Sequence, residues 1–100
     1  MKEFHSRIGL LLSLQRALIG NVDLNLRQVS IEADVTRKLV KIRFEHERAI
    51  GTDARERLSL IATEIIADLP AAWSLEEQYS EAHDLLPLTY VGYRRFELKA

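Results

Sequence analysis

Residues 26–46, LRQVSIEADVTRKLVKIRFEH, decide the fold. In the first part Val29, Ile31 and Ala33 alternate with Gln28, Ser30, Glu32 and Asp34, the two-residue period of a strand with one apolar face. Asp34 to Arg37 supplies a short turn, after which Val40, Ile42 and Phe44 alternate with Lys41, Arg43 and Glu45. Two alternating runs joined by so short a connection predict a β-hairpin.

Upstream, Phe4, Ile8, Leu11, Leu12, Leu18 and Ile19 recur in steps of three and four, which predicts an amphipathic helix from about residue 3 to 19, ended by Gly20. Leu10 and Leu14 lie on the edge of this stripe. So broad a face can touch two neighbours, or one sheet and one partner chain. Downstream, Gly51-Thr52-Asp53 breaks the strand pattern, and Asp53 with Glu56 has the spacing of a capping box. Ala54, Leu58, Ile61, Ala62, Ile65 and Leu69 follow at helical spacing until Pro70 stops the run.

Beyond Trp73, the residues Leu75, Glu77 and Tyr79 share one face of a third strand, with Glu76, Gln78 and Ser80 on the other. Leu88 to Leu98, rich in Thr, Tyr, Val and Phe, predicts a fourth strand in which Gly92 marks a bulge or a close backbone approach. The expected fold is α+β, a single two-layer domain over residues 1–100 in the order αββαββ, with both helices on one face of a mostly antiparallel four-stranded sheet.

A chain of 100 residues can fold alone but has little core to give to a deep cavity, which counts against a cofactor enzyme. The absence of cysteine excludes disulfides, thiolate chemistry and Cys-based zinc sites and fits a reducing compartment. Gln15 and Arg16 interrupt the apolar run that follows Lys2, and no small-residue cleavage site comes after it. The expectation is a cytoplasmic, unprocessed chain. A formal net charge of -1 gives no overall attraction to nucleic acid or to an anionic membrane.

Motifs for chemistry are broken or missing. His46-Glu47 opens an H-E-x-x-H zinc motif, but position 50 is Ile50, and His5 and His83 lie on other parts of the chain. There is no G-x-S-x-G, and the glycines at 9, 20, 51 and 92 are too dispersed for a phosphate loop. Carboxylate pairs such as Glu64/Asp68 and Glu76/Glu77 are common on solvated surfaces. No catalytic residue, cofactor or metal is expected.

Charge is distributed unevenly. Residues 36–57 carry a net charge of +3, whereas residues 58–93 contain no Lys or Arg and six carboxylates, Glu64, Asp68, Glu76, Glu77, Glu81 and Asp84. Either neighbouring basic groups, Arg94, Arg95 and the second strand, balance these in space, or they form an acidic face that recruits a basic partner. Trp73 and Tyr79 lie among them and can serve as anchors or as core. The basic second strand, with Arg37, Lys38, Lys41, Arg43 and Arg48, is the rival site for nucleic acid. Phe44 alternates with its buried residues and Glu45 and Glu47 dilute its charge, so a solvated strand face is expected instead.

Three segments, LLLSLQRALIGNVDLNLRQVSIE (10–32), ERLSLIATEIIADLP (56–70) and LPLTYVGYRRFE (86–97), resemble the small bacterial immunity proteins of contact-dependent growth inhibition systems. The resemblance implies a cytoplasmic antidote that binds one cognate toxin domain, often a nuclease, and blocks it without catalysis. It names no contact residue. A carboxylate-rich surface fits the basic cleft of such a nuclease, so the six carboxylates are the expected contacts. The alternative is a structural or regulatory domain that self-associates, as a homodimer for example, through the first helix or a sheet edge.

Overall fold

The computed structural model describes residues 7–20, 22–81 and 83–97. Helix α1 spans Arg7–Leu18, strand β1 Leu26–Asp34, β2 Leu39–His46, helix α2 Thr52–Ala67, β3 Ser74–Ser80 and β4 Tyr90–Arg94. The element order is the expected αββαββ, and the start assigned to the first helix, before Arg7, lies outside the described residues.

The hairpin forms in register, with Ile31 opposite Ile42 and Ala33 opposite Val40. Asp34 Oδ1 accepts the Arg37 N–H at 3.1 Å within the turn. Lys38 closes that turn at a φ of 51°, in the left-handed region.

The sheet departs from the expectation of a mostly antiparallel arrangement. Its order is β3-β2-β1-β4; β1 pairs antiparallel with β2 and with β4, but β2 pairs parallel with β3, so the sheet is mixed. The physical cause is α2. A sixteen-residue helix rises about 24 Å at 1.5 Å per residue, enough to return the chain to the start of β2 before the next strand begins. Ser74 then opens the parallel ladder by donating its N–H to Lys38 O at 3.0 Å. The second pair of strands, β3 and β4, is not a hairpin: the two lie at opposite edges.

Buried residues of both helices join one core with the apolar face of the hairpin: Leu10, Leu14 and Ala17 from α1, Leu58, Ile61 and Ile65 from α2, and Val29, Ile31, Val40, Ile42 and Phe44 from the strands. α1 lies against β4 and β1, α2 against β3, and the helices contact each other. The buried stripe of α1 is Leu10, Ser13, Leu14, Ala17 and Leu18, and of the predicted stripe Leu18 is buried and Leu11 packs partly buried against the core. Ile8 and Leu12 are instead 70% and 55% exposed, and Ile19 lies beyond the helix, also exposed. Leucines in residues 10–14 satisfy either face by spacing alone, and contact with α2 and β4 selects the one with Leu10 and Leu14.

Gly92 shows why. It occupies a bulge of β4 with no partner on β1, and a Cβ built on it would overlap Leu14 Cδ2, so the missing side chain lets α1 seat against the strand. Gln15 reinforces the contact by donating to Gly92 O.

To pass from one sheet edge to the other, the segment between β3 and β4 crosses β2 and β1 on the face away from the helices. Leu86 N–H donates to Glu45 Oε1 at 2.6 Å, Arg43 donates to Leu86 O, Leu88 N–H donates to Ser30 Oγ at 2.9 Å and Thr89 N–H to Glu32 Oε1 at 3.1 Å. This strap buries the polar face that the alternating pattern left to solvent, and Gln28, Ser30 and Glu45 are all buried.

Candidate functional site

The six carboxylates of the acidic stretch are spread over α2 and its C-terminal end, the edge strand β3 and the start of the strap. Glu64 is exposed on α2. Glu76 and Glu77, adjacent in β3, point to opposite faces of the sheet, as successive strand residues must. Glu76 accepts a hydrogen bond from Gln78 Nε2 at 2.5 Å and stands opposite Lys41 in the ladder. Glu77 accepts from Ser59 Oγ at 3.0 Å and from the Tyr79 hydroxyl. Glu81 and Asp84 are exposed where the chain leaves β3.

Asp68 behaves differently. Its Oδ2 accepts from Ser13 Oγ at 2.7 Å and from Arg16 Nη2 at 3.0 Å, tying the end of α2 to α1. Among the described residues it is the one member of the six in an ion pair. Arg94 and Arg95 do not balance the stretch. Arg94 donates to Gln28 Oε1 at 2.6 Å, and Arg95 pairs with Glu47 and Glu97, each at 2.9 Å. Both belong to the far side of the sheet from β3, which leaves the five exposed carboxylates unneutralised by these partners.

The aromatic residues hold both edge strands in place. Trp73, Tyr79, Tyr90 and Tyr93 all pack against the core. Tyr79 stacks on Phe44 with ring centroids 5.3 Å apart, and the Arg55 guanidinium lies 4.3 Å from the Tyr79 ring centroid. Burial together with the bond to Glu77 pushes the Tyr79 hydroxyl up to about 12, so it remains a donor at neutral pH.

A second feature went unread in the sequence. His46, Arg48, Arg55, Tyr79 and Glu81 line a cavity of about 220 Å³ where β2 and β3 end and α2 begins. The predicted capping box is absent there: Gly51 is the N-cap, it makes no side-chain cap bond, and Asp53 falls inside the first turn. His46 is buried, and burial lowers its pKa below the usual histidine value. Its Nε2 has no hydrogen-bond partner among the described residues. A strand, a helix of sixteen residues and a second apolar-alternating strand were the signal for a βαβ unit, whose open end is where such a cavity forms. No group of His, Asp and Glu among the described residues is arranged to hold a metal ion.

Residues 7–97 match the model of the MafI2 immunity protein family. The chain belongs to that family. No curated protein matches it. Membership of the MafI2 immunity family agrees with the resemblance to toxin immunity proteins and points to toxin neutralisation, with a cognate toxin as partner. Among its described residues, this MafI2 immunity protein has no helix long and apolar enough to cross a membrane.

Proposed function

We propose that the chain is a cytoplasmic antidote that neutralises a contact-dependent growth inhibition toxin by binding it, without catalysis, through the acidic edge formed by β3 and its neighbours. The carrying observation is that Glu64, Glu76, Glu77, Glu81 and Asp84 are exposed and form no ion pair among the described residues. An edge strand adds to this, because its outer side faces no other strand of the sheet. With the helices on one face and the strap on the other, as in a two-layer domain, the surfaces left for a partner are the edges and the outer sides of the helices. A surface of this charge fits a toxin with a basic substrate cleft, as a nuclease has, and speeds association by electrostatic steering. Asp68 contributes through the α1–α2 tie rather than by direct contact.

The test is co-purification of the tagged chain with the product of the gene immediately upstream, followed by calorimetric titration of the pair. The Glu76→Lys/Glu77→Lys double variant is expected to keep its fold and lose affinity by tenfold or more, on the scale of about 1.4 kcal/mol per decade. Unchanged affinity of a folded double variant moves the contact elsewhere.

A second function is favoured by Ile8 and Leu12 on the outer side of α1, where apolar side chains lie open to solvent. In that case the chain is a structural or regulatory domain that pairs with its own copy. Sedimentation equilibrium separates the two: a concentration-independent monomer disposes of self-association.

A further inference from the structure

Ser74 donates its N–H to Lys38 O, and from there β3 runs beside β2 in consecutive pairs without a register shift. Alternate residues of a strand turn their N–H and C=O to opposite sides, so Ser74, Glu76 and Gln78 face β2 while Leu75, Glu77 and Tyr79 turn theirs outward. β3 is an edge of the sheet, and no described residue bonds those outward groups. Three donors and three acceptors therefore stand in one row.

The opposite edge is guarded. β4 has five residues, a bulge interrupts its ladder at Gly92, and Gln15 of α1 donates to Gly92 O. β3 has no bulge, no Pro and no Lys, the usual devices that keep an edge from pairing through its backbone. What it has instead is a carboxylate on each face. Glu77 lies on the helix face between Leu75 and Tyr79, where Ser59 Oγ at 3.0 Å and the Tyr79 hydroxyl hold it. Glu76 lies on the strap face and accepts from Gln78 Nε2 at 2.5 Å.

Like charges directly opposed across a ladder repel, and opposite charges attract. β3 of a second copy brings Glu76 and Glu77 and no Lys or Arg, so this edge refuses its own kind and accepts a strand with two adjacent basic residues.

We infer that the outer edge of β3 takes an extended segment of the toxin into the four-stranded sheet as an added strand, its main chain bonded to Leu75, Glu77 and Tyr79 and its adjacent Lys or Arg side chains set against Glu77 on one face and Glu76 on the other. The inference rests on the toxin-binding function proposed above and supplies its mode of contact: main-chain bonds give affinity, and alternate side chains choose the partner. Leu75 and Tyr79 are half-buried, so the helix face of that segment reads apolar, basic, apolar.

Backbone hydrogen exchange tests this, because strand addition leaves an alternating record that contact through side chains does not. In the free chain the Leu75, Glu77 and Tyr79 amides are expected to exchange fast and those of Glu76 and Gln78 slowly. In the complex with the upstream gene product the first three are expected to slow by about tenfold or more. A bound toxin that leaves those three amides fast overturns the inference while toxin binding stands. Protection of all three in the free chain, rising with its concentration, gives the edge to a second copy and also overturns it. If no complex forms, it is the proposed function that fails, and the inference falls with it.

Glu77→Pro set beside Glu77→Ala separates main chain from charge. Both lose the carboxylate, but only proline removes the outward N–H and puts its ring there, a change that an edge strand tolerates where the N–H faces solvent. In calorimetric titration the proline variant is expected to bind the toxin about tenfold more weakly than the alanine variant. Equal affinities of the two folded variants overturn the inference; where Glu77→Pro does not fold, the exchange pattern decides.

Discussion

Leu86 donates its backbone N–H to Glu45 Oε1 at 2.6 Å, and Glu45 is 3% exposed. The other carboxylate oxygen accepts from Gln28 Nε2 at 2.7 Å, and Gln28 Oε1 in turn accepts from Arg94 Nε at 2.6 Å. One carboxylate thus links the strap, both hairpin strands and β4. Glu45→Ala strands two donors in a covered face and is expected to destabilise the domain by about 1–3 kcal/mol. Urea unfolding should show a lower midpoint at similar slope, and the Leu86 amide should exchange faster. Glu45→Gln, which keeps an accepting oxygen, should lose less.

Gly92 makes a second demand on a single atom. Leu14 is fully buried, so it has little room to move away from a new methyl group. Gly92→Ala is expected to destabilise by about 1–3 kcal/mol through overpacking. Shortening the obstacle tests the cause: Leu14→Ala combined with Gly92→Ala should cost clearly less than the two single changes added together. Additive losses in denaturant titrations would show that the backbone, not the contact, sets the requirement.

The hairpin and α2 were legible because each has one dominant period: Val40, Ile42 and Phe44 alternate without exception, and Leu58, Ile61 and Ile65 recur along a helix that Pro70 ends. Gly92 was legible as a bulge or a close backbone approach because glycine within a strand pattern marks one or the other, and here it is both. α1 was legible as a helix but its buried face only in part, since its leucines fall on two faces and only Gly92 and α2 choose between them. The parallel β2–β3 pair escaped because periodicity fixes which side of a strand is apolar and not its direction; the strand–helix–strand order was the one sign of it. Of the site, the carboxylates could be counted from the chain, but the partnership of Asp68 with Ser13 and Arg16 spans more than fifty residues and had no local sign. The His46 cavity had none either, for its walls come from three elements.

Acid should lower the stability of this domain over two pH ranges. Burial depresses the His46 pKa, so below about 6.5 the unfolded chain binds a proton that the folded one refuses, and stability falls from there as pH drops toward the folded value. The bond from Arg27, with a further one from Arg95, holds the Glu97 carboxyl down to about 2. Its contribution is complete above about 4.5 and disappears as pH approaches 2. Denaturant midpoints measured from pH 8 to 3 should show both declines, and His46→Phe should flatten the upper one. An upper decline of equal size in His46→Phe would assign it to another group.

Asp68 and the pair Glu76/Glu77 belong to the same acidic stretch but answer to different forces, and their variants should separate cleanly. Asp68 accepts from a Ser13 hydroxyl that is 7% exposed, while its pair with Arg16 is open to solvent and weak. Asp68→Ala should therefore lower stability by about 1 kcal/mol and leave toxin affinity nearly unchanged. Glu76 and Glu77 are exposed, and although Glu77 accepts from Ser59 and Tyr79, reversal of both to Lys should lower the unfolding midpoint no more than Asp68→Ala does and weaken the complex chiefly through slower association at low salt. Raising the ionic strength should erase most of that difference in rate, because exposed charges are screened over about 8 Å at physiological salt. Stopped-flow association rates at two salt concentrations, set beside urea midpoints for all three variants, decide the matter: an Asp68→Ala protein of full stability that binds poorly would make Asp68 a contact, and the tie between α1 and α2 incidental.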